Sequence, residues 1–402
     1  MKSVRIAAVL AGAVALAMLA WLALQPAQRP LASARIDSAR IDSAPIATDI
    51  GNFARAFEPR PFVFPADHGP HPEFQTEWWY YTGNLQDAAG RQFGYQFTIF
   101  RRALTAEAMS RASSLASNQL YFAHFALTDI NARQHVAAEK FSRGAGGLAG
   151  ACARGAAIPC NDDASFHAFI EDWSVTALDD QGNTMRIIAR HDNHHVELTL
   201  RAIKPVVLHG DRGHSPKGAE PGNASFYYSF TRMETEGDVV FDGTRFAVAG
   251  SSWMDHEWST SALGGNALGW DWFSIQLDDQ RELMLFQIRN ADGSLEPASS
   301  GTLIDAAGQT TRLTLADFTL EAQDRWRSPV SGGEYPVRWF IRIPAQQIEL
   351  TVEARAPEQE MNVSIVYWEG AIRVTGTAGG RAVSGQGYLE MTGYAQSING
   401  KF

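Results

Sequence analysis

Two short segments concentrate the residue types that chemistry needs. SSWMDHEWS (251–259) brings a histidine, two acids and two tryptophans together, and GWDWFSIQL (269–277) sets an aspartate between two tryptophans. In an extended chain successive side chains point to opposite faces. Trp253, Asp255 and Glu257 then share one face of the first segment, and Met254, His256 and Trp258 the other. In the second, Asp271 shares a face with Phe273, Ile275 and Leu277, while Trp270, Trp272, Ser274 and Gln276 face the opposite way. An acid heading an apolar stripe is desolvated, which favours a protonated form able to act as a general acid. A histidine beside tryptophans can pass a proton or orient a water near neutral pH. Asp271, His256 and Glu257 are therefore the candidate catalytic groups. The competing reading makes Asp271 a turn cap or an arginine partner, and SSWMDHEWS a linker whose polar groups satisfy the backbone.

Other segments add candidates for a ligand pocket. In TEWWYYTGN (76–84) Glu77, Trp79 and Tyr81 share a face, and His124 follows Tyr121 on a later strand. In VSIVYWEG (363–370) Glu369 shares its face with Tyr367, Ile365 and Val363. Several acids on separate strands, accompanied by aromatics, suit a deep apolar pocket with a few convergent polar groups. The ligand-binding set is Glu77, Trp79, Tyr81, His124, Trp253, Trp258, Trp272, Tyr367 and Glu369. Arg101, Arg289 and Arg373 are equally placed to pair such acids for structure alone. HDNHH (191–195) matches no familiar zinc spacing and leads straight into a strand, so no metal is expected. There is no G-x-S-x-G elbow and no Gly-rich strand-to-helix motif, so neither a serine hydrolase nor a nucleotide site is indicated, and no cofactor is expected.

The elements that must position these residues read as strands. Turn signals such as QDAAGR (86–91), DDQGN (179–183), FDGTR (241–245) and LDDQR (277–281) alternate with β-branched and aromatic runs such as FGYQFTIF, HVELTLRAI and ELMLFQIR. Regularly spaced hairpins predict an antiparallel sandwich or barrel. One amphipathic stretch, ALTAEAMSRASSL near 103–115, reads as a crossing helix. WWYYTGNL (78–85) aligns without gaps on WDWFSIQL (270–277), which suggests two similar domains. The expected organisation is an all-β chain of two barrels, 57–245 and 246–402, with a long Gly/Pro loop at 205–225 of a length that is more often functional than idle.

Upstream, Lys2 and Arg5 precede an apolar run from Ile6 to Leu24, read as an export signal within 1–34 that is either cleaved or kept as a membrane anchor. Residues 35–56 read as a tether, and the folded part is expected to be periplasmic or otherwise extracytoplasmic. A net charge of −10 argues against nucleic acid as the main partner. Cys152 and Cys160 sit in a Gly/Ala/Pro loop, where an oxidising compartment favours a local disulfide.

With EWWYYTGNL, FGYQFTIFR, YFAHFALTD, FSRGAGGLAG, SSWMDHEWS and GWDWFSIQL in this order, the chain resembles the AttH-like family of lipocalin-like proteins, which includes carotenoid 1,2-hydratase (hydroxyneurosporene synthase). The resemblance implies a pair of lipocalin-like barrels. From its hydratase branch it implies cofactor-free addition of water to an isoprenoid double bond, with Asp271 as proton donor oriented by His256 and Trp258. From its bacterial members it implies a place alongside ABC-type export components, and with the exported leader and the barrels this gives a carrier of an apolar lipid- or isoprenoid-like ligand. Ligand binding linked to transport is the first expectation, and hydration of an alkene the alternative.

Overall fold

The computed structural model describes residues 51–107, 117–161, 163–260, 263 and 266–398. The expected leader, most of the expected tether and most of the expected crossing helix lie outside these residues. Among the described residues the fold is all β, with single 3-10 turns at Ala66–His68 and Pro344–Gln346.

The first sheet is built from β1 (Thr76–Asp87), β2 (Gln92–Ala103), β3 (Gln119–Asp129), β4 (Gln134–Arg143), β5 (Ala149–Ala153), β6 (Phe166–Ile170), β7 (Trp173–Ala177), β8 (Thr184–His191), β9 (His194–Ala202), β10 (Val207–Leu208), β11 (His214–Pro216), β12 (Ala224–Phe241) and β13 (Thr244–Ser259). Its order is β4-β3-β2-β1-β13-β12-β9-β8-β7-β6-β5, with β10 and β11 laid on β12. The second part of the chain supplies β14 (Ala267–Leu277), β15 (Glu282–Asn290), β16 (Ser300–Ile304), β17 (Thr310–Thr314), β18 (Thr319–Ala322), β19 (Arg325–Arg327), β20 (Glu334–Pro336), β21 (Arg338–Ile343), β22 (Ile348–Ala354), β23 (Glu360–Met361), β24 (Tyr367–Ala378) and β25 (Arg381–Met391). The second sheet runs β17-β16-β15-β14-β25-β24-β22-β21-β18, with β23 on β24, while β19 and β20 form a small ribbon. All the pairings are antiparallel, as the hairpin signals require.

The repeat in the sequence has a structural counterpart. In each sheet the first strand pairs with the last, β1 with β13 and β14 with β25. The passage between sheets falls after Ser259 and before Ala267, not at the boundary expected near 245/246. The reason is register: β13 follows β12 across the FDGTR turn and pairs with it, and its residues from Val248 to Ser259 pair with the whole of β1, so it completes the first sheet instead of opening the second.

Each sheet curls around its own apolar core. Phe97 of β2 and Phe125 of β3 meet Trp173 of β7 edge-on at 6.3 and 5.8 Å, joining strands well separated in the sheet order. In the second sheet Phe273 of β14 meets Trp339 of β21 at 5.4 Å. A third cluster, including Tyr80, Tyr227, Trp253, Trp272, Met284 and Phe286, lies between the two sheets. Gly94 permits the close approach there, because a Cβ at that position would lie 2.8 Å from the Cβ of Ala371 on β24. The end of the expected tether is part of the fold: Phe53 and Ala56 are buried, and the Ala54 amide donates to the Glu73 carbonyl at 2.9 Å. Their apolar side chains outweigh the polar composition of the residues before them. Cys152 and Cys160 are joined by a disulfide. HDNHH forms the β8–β9 hairpin turn, with Asp192 in the left-handed region at φ 50°.

Candidate functional site

A partly open cavity of about 140 Å³ lies between the sheets. Its walls are aromatic: Trp78 and Tyr80 from β1, Phe100 from β2, Tyr227 from β12, Trp270 and Trp272 from β14, Phe286 from β15 and Tyr367 from β24. Three acids line it, Asp255 and Glu257 from β13 and Glu390 from β25. Strand alternation explains the set. The even-numbered residues of β1 and of β14 face the cavity, so the sequence repeat places Trp78 opposite Trp270 in the alignment and Tyr80 opposite Trp272, one pair from each sheet.

Asp255 is the most elaborately held of the acids. It lies directly across from Ser229 on β12, whose hydroxyl donates to Oδ1. Trp253, two residues earlier on the same face, donates its indole N–H to Oδ1 at 2.6 Å, and the Tyr227 hydroxyl donates to Oδ2 at 2.8 Å. Tyr227 in turn accepts from the Trp272 indole at 3.1 Å. Behind Ser229 stands His209, whose Nε2 is 2.7 Å from the serine Oγ and whose Nδ1 is 2.8 Å from Oγ1 of Thr302 on β16. His209 is fully buried, and burial drives its pKa down to about 3, so it is neutral. Burial raises the Asp255 carboxyl to about 7, more than these hydrogen bonds lower it, and neighbouring Glu257 adds to the rise. Asp255 thus holds or releases a proton near neutrality.

On the facing sheet Glu369 of β24 and Glu390 of β25 are direct cross-strand partners. The Tyr80 hydroxyl donates to Glu369 at 2.5 Å and the Trp270 indole to Glu390 at 2.5 Å. Burial raises both carboxyls, Glu390 to about 7 and Glu369 well above the usual range, where repulsion from Glu390 adds to the effect. Glu257 is paired with Lys217 at 2.9 Å, and the Lys217 ammonium lies 4.3 Å from the Phe286 ring centroid. Lys217 and His209 both come from the loop at 205–225, which folds down on β12 through β10 and β11.

The residues expected from sequence divide among three places. Glu257, Trp272 and Tyr367 line the cavity, Trp253 braces Asp255, and Glu369 backs Glu390. His124 is buried beside the wall, its Nδ1 2.8 Å from the Tyr367 hydroxyl. Asp271 does not reach the cavity. The pleat turns it into the second barrel, where Gln287 donates to it at 2.9 Å and Arg289 pairs with it at 3.1 Å. It is the arginine partner of the competing reading, and burial still keeps its carboxyl above the usual value.

Glu77, Trp79, Tyr81, His256 and Trp258 face the interior of the first barrel instead. There Glu77 pairs with its cross-strand neighbour Arg101 at 2.7 Å and with ring nitrogens of His71 and His256 at 2.8 and 2.9 Å. His71 stacks on Trp258 with centroids 3.7 Å apart. Burial alone would raise Glu77, but Arg101 and His71 hold it well below the carboxylate range. Burial alone would lower His71, but Glu77 and Asp67 hold it above its ordinary value. His71, Glu77 and His256 offer donor atoms within 4.8 Å of one another, the spacing of a metal site. Yet Glu77 is saturated by the two histidines, by Arg101 and by the His71 amide, and the adjacent guanidinium opposes a further cation. This cluster is a buried ion network inside the first barrel. His256 and Trp258 lie on the opposite face of β13 from Asp255 and the cavity.

Sequence reasoning placed Asp255 on the correct face without choosing it, and missed Glu390, Tyr80, Tyr227, Trp270 and Lys217. Alternation along VSGQGYLEM would have put Glu390 on the face of Tyr388, but only the pairing of β25 with β14 shows that this face meets the first sheet.

Known proteins agree with this architecture. No curated protein matches the chain in sequence. Among solved structures, a Nitrosomonas europaea protein assigned to AttH is 32% identical and superposes with a TM-score of 0.73, over 85% of this chain and 100% of that one. Kievitone hydratase from Nectria haematococca shares the fold at 14% identity and a TM-score of 0.62, over 86% and 97%. CghA does so at 13% identity and 0.53, over 86% and 96%. The AttH-like family model matches residues 55–394, which span both sheets and every residue of the cavity. The chain belongs to the AttH-like family.

Proposed function

We propose that the inter-sheet cavity binds an apolar, unsaturated ligand of lipid or isoprenoid type and adds water to it by acid catalysis, with Asp255 as the proton donor. The observation that carries this reading is a carboxyl enclosed by aromatic rings, held by three hydrogen bonds, on the wall of a largely aromatic cavity. A protonated Asp255 gives its proton to an alkene carbon. The cation that develops faces indole and phenol rings, which stabilise positive charge through their π faces. The fold shared with a hydratase is consistent with this, although fold alone does not fix function. Burial and aromatic walls serve simple ligand carriage equally well, so the test must separate chemistry from binding. The purified protein is incubated with a panel of isoprenoid alkenes, and both bound molecules and products are identified by mass spectrometry. Hydrated product lost in Asp255→Asn supports catalysis. A ligand bound and returned unchanged would reduce the protein to a carrier, the role that would fit a transporter partner.

A further inference from the structure

The proposed reaction leaves one requirement open, a base for the attacking water, and the second wall of the cavity holds an unusual group. Glu369 and Glu390 face each other across β24 and β25. Like charges directly opposed in a sheet are destabilising; Glu369 is fully buried and Glu390 half-buried at the cavity wall. Among the described residues neither forms an ion pair with an arginine or lysine. Their surroundings are Tyr80 from β1, Trp270 from β14, Tyr367 from β24 and Tyr388 from β25, with Asp255 and Glu257 of β13 the charges that act on them across the cavity. Lys217 is engaged with Glu257. Two carboxyls so placed oppose each other's ionisation. Glu390 lines the cavity, whereas Glu369 does not. A structural role would be served better by an arginine in either position, as at Glu77 and Asp271.

We infer that Glu390 is the general base that takes a proton from the attacking water, that Glu369 is a positioning residue sharing its proton, and that hydrogen and hydroxyl add to opposite faces of the alkene. This rests on the hydration reading above. The geometry follows from topology: Asp255 belongs to the first sheet and Glu390 to the second, with the ligand space between them. The step balances. The π bond breaks and a C–H bond forms with the Asp255 proton. Water oxygen bonds to the cationic carbon, and a water proton passes to Glu390. Asp255 is left ionised and the pair doubly protonated. Return of one proton from Glu390 to Asp255 restores the starting state, and no redox partner is needed. The arrangement parallels enzymes in which two carboxyls on opposite sides of the reacting bond set the stereochemical outcome.

Two measurements test this on the full-length protein. Infrared spectra of carboxyl-labelled protein follow the protonated-acid band against pH without any ligand. The wild type should keep a protonated carboxyl in the pair at neutral pH, and Glu369→Leu, which removes the partner that shares the proton, should move the Glu390 titration to higher pH. An unmoved Glu390 titration would overturn the shared proton. The second uses geraniol in deuterated water, because hydration of its allylic alkene creates neighbouring stereocentres. Anti addition is expected, with kcat at least about 100-fold lower in Glu390→Gln and KM little changed. Syn addition, or an unchanged kcat in Glu390→Gln, would overturn the base assignment while leaving hydration by Asp255 intact. Absence of any hydrated product from geraniol or the isoprenoid panel would remove the hydration reading and the base with it.

Discussion

Replacing Asp255 with asparagine should make the folded protein more stable at alkaline pH even as it removes the proposed proton donor. The unfolded aspartate loses its proton near 3.8, whereas burial holds the folded carboxyl to about 7. Between those values the folded state binds a proton that the unfolded state has released, so stability falls as pH rises through this window and levels off above it. At 1.36 kcal/mol per pH unit the full effect is about 4 kcal/mol, of which about 3 kcal/mol falls between pH 5 and pH 8. Asparagine mimics the protonated acid. Its carbonyl can accept from Ser229 and Trp253, and its amide can donate to the Tyr227 oxygen. Urea unfolding of wild type and variant at pH 5 and pH 8 reads the difference directly. The variant's advantage should widen by about 3 kcal/mol over that range. An advantage that stays constant with pH, or a variant less stable than wild type at pH 8, would refute the claim that Asp255 is buried as a protonated acid. Stability gained with activity lost is the usual signature of a functional group held against its own preference.

Other outcomes follow from the same structure. Asp271→Asn should leave turnover and ligand binding intact, because its carboxyl faces Gln287 and Arg289 inside the second barrel, and steady-state kinetics on the isoprenoid panel checks this. Trp272→Ala removes a cavity wall and the donor to Tyr227, so affinity for an apolar ligand, read by fluorescence quenching, should fall about 10- to 100-fold. Arg101→Met leaves Glu77 buried without its guanidinium and should cost about 3–5 kcal/mol in denaturant unfolding. Replacing Cys152 and Cys160 by serine opens a short loop remote from the cavity, and should cost about 2–3 kcal/mol without changing ligand affinity.

Much of the architecture was legible because strand periodicity and turn chemistry are local. The faces of SSWMDHEWS, WDWFSIQL and TEWWYYTGN came out correctly, as did the meaning of the repeat. What sequence did not show was which face of each strand meets which space. In a chain with two cores and a cavity between them, every strand of the central walls is buried on both sides, so an acid on an apolar face can belong to a core or to a site. Asp271 and Asp255 look alike in this respect, and only the pairing of β13 with β12 and β1 separates them. The same ambiguity drew His256 and Glu77 into the candidate site, although Arg101, the partner of Glu77, is fixed by the β1–β2 register. Lys217 and His209 were hidden differently, since their loop carries no periodicity and reaches the site through short strands of two and three residues.

On the proposed reading Asp255, not Asp271, is the acid of the site. Mass spectrometry of products formed from isoprenoid alkenes in deuterated water compares wild type, Asp255→Asn and Asp271→Asn in one experiment. Carbon-bound deuterium should appear in the alcohol made by wild type and by Asp271→Asn, and vanish with Asp255→Asn. Deuterated alcohol that persists in Asp255→Asn and disappears in Asp271→Asn would contradict the account.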